Sequence, residues 1–319
     1  MKYVVTGGAG FIGSHIAEHL LKDRHEVVIF DNLISGKMEN IAHLLSHDEV
    51  TFISGNILNL PDLKKTFEGS DGIFHEAAIA SVPRSVANPK ETHDMNLTGT
   101  LNILIAARHC GVRKVIFASS AAVYGANPAL PKCESMTPNL LSPYAVSKIG
   151  GEYYCSVFCH LYNMQCTSLR YFNVFGPRQD PGSPYSGVIT KFVSNILDHQ
   201  PIVIHGDGHQ TRDFVYVKDV IQANILAMTT DKLGVYNIAC GTRINLLELA
   251  DMIAEITGIS VPIQFDPPAT GDIRDSVADI TLAKESLGYA PRYSVREGLE
   301  ETIAWFREQQ LFEFAKVRK

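Results

Sequence analysis

Short apolar runs alternate with longer segments of helical periodicity through the first half of the chain. Five runs are almost continuously apolar, which is typical of strands buried on both faces of a parallel sheet. They cover residues 3–6, 27–30, 50–53, 72–75 and 115–118. Helices are predicted at residues 12–22, 61–67, 96–109 and 142–161, and a further strand at 166–171. Strands that alternate with helices predict an α/β fold built on a doubly wound parallel sheet.

The pattern changes after about Asn173. Residues 175–187 are rich in Gly, Pro and Ser and predict a long loop, and loops of that length are often functional. Helices are predicted at 189–197, 246–256 and 295–309, with an extended segment at 262–268. We expect residues 213–239 to return to the main sheet. The predicted organisation is a larger domain of residues 1–173 and about 213–240, and a smaller α/β domain of about 174–212 and 241–319.

Composition and charge narrow the classes of function. The 319 residues carry a formal net charge of −6, whereas a general nucleic-acid or membrane-surface binder would need a basic face. The six cysteines form no C-x-x-C pair, so we expect reduced thiols packed as small hydrophobes and no metal site. A signal-peptide pattern and an apolar run of spanning length are both missing from the sequence, so a cytoplasmic location is expected.

A glycine-rich segment, TGGAGFIG at residues 6–13, follows the first predicted strand and opens the first predicted helix. Gly8, Gly10 and Gly13 satisfy G-x-G-x-x-G, and Gly7 begins the alternative spacing G-x-x-G-x-x-G. Glycines there let a pyrophosphate approach the helix N-terminus, where free N–H groups and the helix dipole stabilise it. Asp31 ends the second strand, where a carboxylate binds a ribose 2′-hydroxyl and repels a 2′-phosphate. This predicts a Rossmann-type site for NAD; a glycine turn without a ligand is the alternative.

A second candidate site is the Y-x-x-x-K pattern of Tyr144 and Lys148. The two side chains share one helix face, so we expect the ammonium group, and a positive nicotinamide ring beside it, to lower the pKa of Tyr144 and make it a general base near neutral pH. Ser120 follows an apolar strand, at the sheet edge where such folds bind ligands, and could share the proton of the reacting hydroxyl. Each pattern alone is common, but their order after Asp31 predicts a centre for NAD-dependent hydride transfer.

Together these motifs resemble those of the extended short-chain dehydrogenases/reductases, and among them the nucleotide-sugar 4-epimerases that act on UDP-N-acetylglucosamine or UDP-glucose. The resemblance runs along the whole chain. The matching segments are TGGAGFIG (6–13), DNL (31–33), HEAA (75–78), NLTGT (96–100), SSAAVYG (119–125), YAVSK (144–148), RYFNVFGPRQ (170–179), GDGHQTRDFVYV (206–217) and GDIRDSVAD (271–279). One departure is Asn56, because such families commonly carry Asp there, near the adenine; an amide can still donate and accept hydrogen bonds.

The resemblance implies roles for individual residues. Tyr144 would be the base, Lys148 would orient it, and Ser120 would assist. The residues implied for NAD are Gly7, Gly10, Phe11, Ile12, Gly13, Asp31, Asn32, Ser35, Gly36, Asn56, Ile57, Ala77, Ala78, Asn96, Ser119, Tyr144, Lys148 and Tyr171. Those implied for a UDP-sugar are Ser81, Ser120, Tyr144, Asn173, Gly187, Val188, Val203, Arg212, Arg274 and Ser276. Arg212 and Arg274 would hold the diphosphate, a task suited to forked guanidinium groups. Helices 96–109 and 142–161 would form a homodimer interface.

Two alanines favour epimerisation over elimination. Resembling enzymes that remove water or carbon dioxide carry an acidic residue where this chain has Ala121 and Ala122, before Tyr124. Elimination needs an additional acid or base, which alanine cannot supply. The predicted reaction oxidises carbon 4 of the sugar, lets the 4-keto sugar rotate on its diphosphate and returns the hydride to the other face. The alternatives are a 4,6-dehydratase or another extended short-chain dehydrogenase, and a non-catalytic NAD-sensing module.

Ser276 bears on the choice of substrate. In the resembling 4-epimerases this position borders the 2-substituent of the sugar, and a bulky tyrosine there restricts the enzyme to plain hexoses. Serine leaves room for an N-acetyl group, so N-acetylated UDP-hexoses are expected substrates beside the plain ones. His75 is expected to contact the cofactor through its backbone. Arg84 and Arg178 are either near the sugar or simply solvated.

Overall fold

The computed structural model describes residues 1–180, 187–268 and 273–317. Its strands are β1 (Lys2–Thr6), β2 (Glu26–Asp31), β3 (Val50–Ser54), β4 (Gly72–His75), β5 (Lys114–Ser120), β6 (Gln165–Tyr171), β7 (Asn173–Phe175), β8 (Ile202–His205), β9 (Thr211–Arg212), β10 (Phe214–Tyr216), β11 (Gly234–Ile238), β12 (Ile244–Asn245) and β13 (Ile263–Asp266). Its α-helices are α1 (Phe11–Lys22), α2 (Leu60–Phe67), α3 (Val82–Ala87), α4 (Pro89–Thr92), α5 (Gly99–His109), α6 (Pro143–Tyr162), α7 (Val188–Leu197), α8 (Val217–Thr229), α9 (Leu246–Thr257), α10 (Thr281–Leu287) and α11 (Val295–Val317). A π-helical segment lies at His93–Thr98, and 3-10 turns lie at Met38–Asn40 and Ala121–Tyr124.

The centre of the molecule is a seven-stranded parallel sheet with the order β11-β6-β5-β4-β1-β2-β3. The chain moves outward from β1 in one direction and from β4 in the other, so the order reverses between these two strands. Ligands of such sheets bind outside the carboxyl ends of the strands at that reversal. The predicted doubly wound fold is confirmed, and the glycine loop that follows β1 lies at the reversal.

Alternation along the strands divides the apolar side chains between the two faces of the sheet. Val4 belongs to a cluster with residues of α2, α5 and α6, whereas Val5 belongs to a larger cluster with residues of α1 and α8. The larger cluster continues into the second half through Ile189 and Leu249. Because both faces are covered, the strands are almost continuously apolar. The division into two domains stays a prediction.

Most predicted elements are present within two or three residues of their expected ends, and β11 rejoins the sheet beside β6, as expected. Two differences stand out. The helix predicted at 96–109 begins with the π-helical segment, in which the side chain of Asn96 bonds to Ile79 and Ser147. The loop predicted at 175–187 is preceded by β7, which pairs with β10; residues 181–186 lie outside the described residues.

All six cysteines are free thiols in the described part of the chain. Among the helices of the described residues, none has the length and apolar character needed to cross a membrane.

The second half forms small two-stranded ladders, in which β13 pairs with β8 in parallel and β12 pairs with β9 in antiparallel fashion. Helices α7 and α9 pack against each other and against these ladders.

Candidate active site

The glycine loop packs closely against the end of β4. Gly7 has a φ of 68°, a left-handed conformation that favours glycine, and a Cβ there would lie 2.7 Å from the backbone nitrogen of Ala77. A Cβ on Gly13 would clash with the carbonyl oxygen of Gly7. Helix α1 begins after Gly10, which has no side chain to cap the first N–H groups. These N–H groups are therefore free to bind an anion, as a pyrophosphate cradle requires.

A cavity of about 510 Å³ opens in front of this loop, a size typical of small-molecule sites. Many of the residues expected from the sequence line it. They are Gly7, Gly10, Phe11, Ile12, Gly13, Asp31, Asn32, Ser35, Ile57, Ala77 and Ala78 from the set implied for NAD, and Ser81 and Gly187 from the set implied for the sugar nucleotide. The cavity wall also contains Glu76, which the sequence analysis assigned no role. The residues present fit a dinucleotide.

Asp31 lies at the end of β2, on the cavity wall. Its Oδ2 accepts a hydrogen bond from the backbone nitrogen of Ala9 at 3.0 Å, and its Oδ1 accepts one from Leu33 at 2.8 Å. A Cβ on Gly36 would lie 2.8 Å from both carboxylate oxygens, so glycine is needed beside them. Burial raises the pKa of Asp31, while these backbone hydrogen bonds oppose the rise. The carboxylate is thus held rigidly at the place predicted for a ribose.

Helix α6 is started by local sequence signals just ahead of the Tyr–Lys pair. The hydroxyl of Ser142 accepts a hydrogen bond from the backbone nitrogen of Ala145 at 3.2 Å, and Pro143 occupies the first helical position. Tyr144 therefore falls in the first turn, and Lys148 follows one turn later on the same face. The N-cap positions both candidate catalytic side chains at the carboxyl edge of the sheet.

Tyr144, Lys148 and Ser120 come together at the end of β5. Ser120 is hydrogen-bonded to the half-buried Tyr144. Lys148 is buried, its Nζ donates to the carbonyl oxygen of Ala118 at 2.7 Å, and the same Nζ lies 5.7 Å from the centre of the Tyr144 ring. The structure thus brings together the three residues predicted to be catalytic.

The electrostatics of Tyr144 differ from the expectation. Burial is the largest cause and raises the pKa of Tyr144, whereas the hydrogen bond from Ser120 lowers it. The prediction that Lys148 lowers this pKa is wrong for the protein by itself. Lys148 directs its Nζ at Ala118, and burial lowers the pKa of Lys148 to about 8. Ionisation of Tyr144 near neutral pH would therefore need a further positive charge in the cavity.

Asn96 holds in place a residue of the cavity wall, Ile79. Its Oδ1 accepts a hydrogen bond from the backbone nitrogen of Ile79 at 2.7 Å, and its Nδ2 donates to the carbonyl oxygen of Ile79 and to Ser147, both at 3.1 Å. Asn96 is buried, and its amide already has these protein partners. It therefore ties the loop after β4 to α6 instead of offering a free hydrogen-bonding group to a ligand.

Two further residues expected at the cofactor also bond within the protein. Asn56 is not among the residues that line the described cavity, and its Oδ1 accepts a hydrogen bond from the backbone nitrogen of Leu58 at 2.9 Å. The hydroxyl of Tyr171 donates to Glu76 at 2.9 Å. Asn56 thus shapes its own turn, and Tyr171 holds a carboxyl at the cavity.

A buried ion pair that the sequence does not predict lies behind the three candidate catalytic residues. Arg170 donates to both carboxylate oxygens of Glu152, at 2.9 and 2.7 Å, and Ser119 donates to the same carboxylate. Glu152 lies one turn beyond Lys148, and Ser119 precedes Ser120. The side chain of Ser119 is therefore part of this network, which locks together the three elements that carry the site. Its only sequence signal is an acidic residue at helical spacing from Lys148.

The residues implied for the diphosphate lie in the second half of the chain and are not among those that line the described cavity. Arg212 donates to the carbonyl oxygen of Arg274 at 3.1 Å, and Arg274 is exposed and pairs with Asp207 at 3.0 Å. The backbone nitrogen of Ser276 donates to Thr211 at 3.1 Å. The two arginines and Ser276 are thus neighbours, while the adjoining residues 271–272 of the matching segment lie outside the described residues.

Three other residues implied for the sugar nucleotide lie on β7, α7 and β8. Asn173 begins β7 and is exposed, Val188 begins α7, and Val203 points outward from β8. The structure does not place these three on the wall of the described cavity. Their contact with a substrate stays a prediction.

Residues 177–180 cross the cavity mouth and are anchored on α1 and the loop after β2. His15 is hydrogen-bonded to the carbonyl oxygen of Pro177 at 3.0 Å, Arg178 pairs with Glu18, and Lys37 pairs with Asp180 at 2.9 Å. Arg178 is therefore neither fully solvated nor free for a sugar. Arg84 lines the cavity and pairs with Glu91 at 2.6 Å.

His75 is fully engaged within the protein. Its ring is hydrogen-bonded to Thr6 at 2.8 Å and to Thr100 at 2.9 Å. Burial lowers the pKa of His75 to about 3, so the ring stays neutral at physiological pH. Its imidazole is therefore committed to contacts within the protein, and the backbone contact with the cofactor stays a prediction.

A nucleotide cradle and a tyrosine base on one sheet edge are characteristic of Rossmann-fold enzymes that use a dinucleotide. The model of the NAD dependent epimerase/dehydratase family matches residues 3–239. The chain therefore belongs to this family, and the expected cofactor, NAD, is confirmed.

Individual relatives cover almost the whole chain. A solved structure of UDP-N-acetylglucosamine 4-epimerase from Methanobrevibacter ruminantium M1, in complex with UDP-N-acetylmuramic acid, is 43% identical, covers 97% of this chain and 98% of that one, and has a TM-score of 0.93. UDP-glucose 4-epimerase of Mycolicibacterium smegmatis is 40% identical over 97% of this chain and 99% of its own. UDP-N-acetyl-alpha-D-glucosaminuronate decarboxylase of Bacillus cytotoxicus is 37% identical over 96% and 97%. The resemblance to nucleotide-sugar epimerases is confirmed, but these relatives differ in substrate and in reaction.

Proposed function

We propose that this protein inverts carbon 4 of UDP-hexoses through a 4-keto intermediate, and that UDP-N-acetylglucosamine and UDP-N-acetylgalactosamine are among its substrates, beside UDP-glucose and UDP-galactose. The observation that carries the proposal is the arrangement of Tyr144 with Ser120 and Lys148 at the carboxyl edge of the sheet, the same edge as the glycine loop and its cavity. The relatives named as 4-epimerases support the same reaction.

In the proposed mechanism the N-terminus of α1 and the glycine loop would hold the pyrophosphate of NAD, and Asp31 would hold a ribose. When bound, NAD supplies a hydride acceptor and a positive charge near the base. Tyr144 removes the proton of the 4-hydroxyl and later returns one to the inverted sugar. Ser120 orients that proton through its hydrogen bond to Tyr144. Lys148 would orient Tyr144 and keep a positive charge beside it.

The absence of an acid beside Ser120 favours epimerisation over elimination or decarboxylation. Ala121 and Ala122 form the start of the 3-10 turn that follows β5, and the hydroxyl of Ser120 accepts a hydrogen bond from the backbone nitrogen of Ala122 at 3.1 Å. Neither alanine can donate or accept a proton, so this turn offers no second acid or base for a further step. The 4-keto sugar is then reduced again in the same site.

The volume of residue 276 should decide whether an N-acetyl group is accepted. We expect Ser276→Tyr to lower kcat/KM for UDP-N-acetylglucosamine by about 10-fold or more, because an aromatic ring would overfill the space beside the 2-substituent. UDP-glucose should change by less than about 3-fold. Coupled assays with both substrates measure this ratio. Ser276→Ala is the control and should keep the wild-type ratio; an unchanged ratio in the tyrosine variant contradicts this role.

We also propose that the protein is a homodimer that pairs through α6. Val146, Tyr153, Val157 and Leu161 follow one another at helical spacing and are all exposed, which makes an apolar stripe along one face of this helix. When two copies pair through this face, the apolar side chains of both stripes are removed from water.

The dimer is tested by placing a charge within this stripe. Leu161 on α6 is 61% exposed, and Leu282 on α10 is 42% exposed, so the same substitution can be made at both. Leu161→Glu should give a monomer in sedimentation velocity, because a buried unpaired carboxylate opposes association. Leu282→Glu should leave the mass unchanged. A dimer that survives Leu161→Glu would exclude this face as the interface.

A further inference from the structure

Glu76 is a half-buried carboxyl at the carboxyl edge of the sheet, and the mechanism above does not use it. It follows β4 directly, and because His75 pairs with Phe117, the register brings Glu76 opposite Ala118. Its Oε1 accepts a hydrogen bond from the hydroxyl of Tyr171 at 2.9 Å, and that hydroxyl also accepts one from Asn224 at 2.8 Å. Neutral groups therefore fix a carboxyl at the cavity wall.

The ionisable groups that face Glu76 lie on two elements. Tyr171 belongs to β6, and Tyr144 and Lys148 belong to α6. The neighbouring α8 contributes Asn224, which carries no charge. The Nζ of Lys148 donates to the carbonyl of Ala118, the residue opposite Glu76, so the carboxyl and the ammonium group share one end of β5. Glu76 therefore faces one cation and two phenols.

Two carboxyl groups act on Lys148, and they are not equivalent. Glu152 is bonded through both oxygens to Arg170, so its charge is largely compensated within that pair. Glu76 is bonded to a phenol instead. Burial raises the pKa of Glu76 to about 7, and burial lowers the pKa of Lys148 to about 8, against the pull of both carboxylates. The charge of Glu76 is therefore less compensated than that of Glu152, and Lys148 is the cation that it faces.

We propose that Glu76 is a positioning residue of the active site, whose carboxylate stabilises the protonated form of Lys148 and raises the pH range in which the Tyr144–Lys148 pair works. The inference rests on the proposed function, because that function gives the pair its role. The same carboxylate opposes ionisation of Tyr144. Removing its charge should therefore lower the pKa of the base and of the ammonium group together.

The first test is the pH dependence of epimerisation in Glu76→Gln. Glutamine keeps an oxygen that can accept the hydrogen bond from Tyr171 but carries no charge. The alkaline limb of the kcat profile, where Glu76 is ionised in the wild type, should move to lower pH by about 0.5 to 1 pH unit, with KM nearly unchanged. A merely structural role would scale the profile without moving it. A profile that overlays the wild type refutes the proposal.

Glu134→Gln is the matched control. The carboxylate of Glu134 accepts a hydrogen bond from the backbone nitrogen of Asn237 at 2.7 Å, and burial raises its pKa as well. Glu134 is not among the groups that shift the pKa of Lys148 or Tyr144. The profile of this variant should overlay the wild type. If both variants move the alkaline limb equally, the effect is one of net charge and the specific role of Glu76 is wrong.

A second readout needs no activity, so it separates this inference from the proposed function. The pKa of Glu76 in the folded state, about 7, lies above the value of about 4.3 in an unfolded chain, so its ionisation destabilises the fold as pH rises through that window. The Tm difference between Glu76→Gln and wild type should therefore become more favourable to the variant from pH 5 to pH 8. A constant difference contradicts the inference even if epimerisation is observed.

Tyr171→Phe keeps the inference testable if Glu76→Gln does not fold. The hydrogen bond from Tyr171 lowers the pKa of Glu76, so its removal should raise that pKa further. The pH-dependent loss of stability should then shift to higher pH relative to wild type. A loss of stability that stays at the wild-type pH would mean that Tyr171 does not hold an ionising Glu76.

Discussion

Tyr144→Phe is expected to lower the rate of epimerisation by about 10³-fold or more while the protein remains folded. Phenylalanine keeps the ring but removes the hydroxyl that Ser120 bonds, so the group proposed to take the proton of the 4-hydroxyl is lost. NMR of the UDP-sugar mixture measures the rate directly. Circular dichroism and retention of NAD would show that the fold and the cofactor site survive.

The same substitution at Tyr153, further along α6, provides the control. Tyr153 lies on this helix and is 61% exposed in the single chain, within the stripe proposed for the dimer, and phenylalanine keeps the ring that this stripe presents. Tyr153→Phe should retain activity within about 2-fold, as for surface substitutions away from a site. Full activity in Tyr144→Phe would mean that another group is the base. Equal losses in both variants would mean that the effect is not specific to Tyr144.

Glu152→Gln is expected to cost about 3 to 5 kcal/mol of unfolding free energy, because it leaves the guanidinium of Arg170 buried without its anion. Both side chains are at most 5% exposed. Urea denaturation of the wild type and of Glu152→Gln measures the difference in unfolding free energy. Activity should fall as well, because the pair lies beside Ser120 and one turn from Lys148.

An exposed pair provides the comparison for this loss. Arg296 and Glu255 form an ion pair whose side chains are 46% and 65% exposed, so Glu255→Gln should change stability by less than about 1 kcal/mol. Replacing both buried partners, with Glu152→Leu and Arg170→Met, should recover much of the stability because no charge remains unpaired. A double variant less stable than Glu152→Gln would mean that the pair contributes net stability.

The sheet could be predicted because its signals are local. Each strand of the first half is an apolar run of a few residues. The left-handed turn directly after β1 requires a glycine, and the sequence has Gly7 there. The π-helical segment at His93–Thr98 could not be predicted, since the bonds of Asn96 to Ile79 and Ser147 join residues far apart in sequence. The pairing of β7 with β10 has the same origin in long-range contacts.

The candidate site divides in the same way. The glycine loop, Asp31 and the pair Tyr144–Lys148 are spacing patterns, and the structure brings them to one edge of the sheet. The pairing of Glu152 with Arg170 depends on which elements become neighbours, so no local pattern shows it. In the protein by itself the pKa of Tyr144 is raised, against the expectation from Lys148, because spacing shows that Lys148 is near but not that burial outweighs it.

The central claim is that the hydride taken from carbon 4 returns to the same carbon. The direct measurement uses UDP-N-acetylglucosamine carrying deuterium at carbon 4, incubated with the protein and NAD, with the product analysed by NMR and mass spectrometry. The account predicts UDP-N-acetylgalactosamine that retains the deuterium at carbon 4. An unchanged sugar, or an epimer whose carbon 4 carries hydrogen from the solvent, would contradict it.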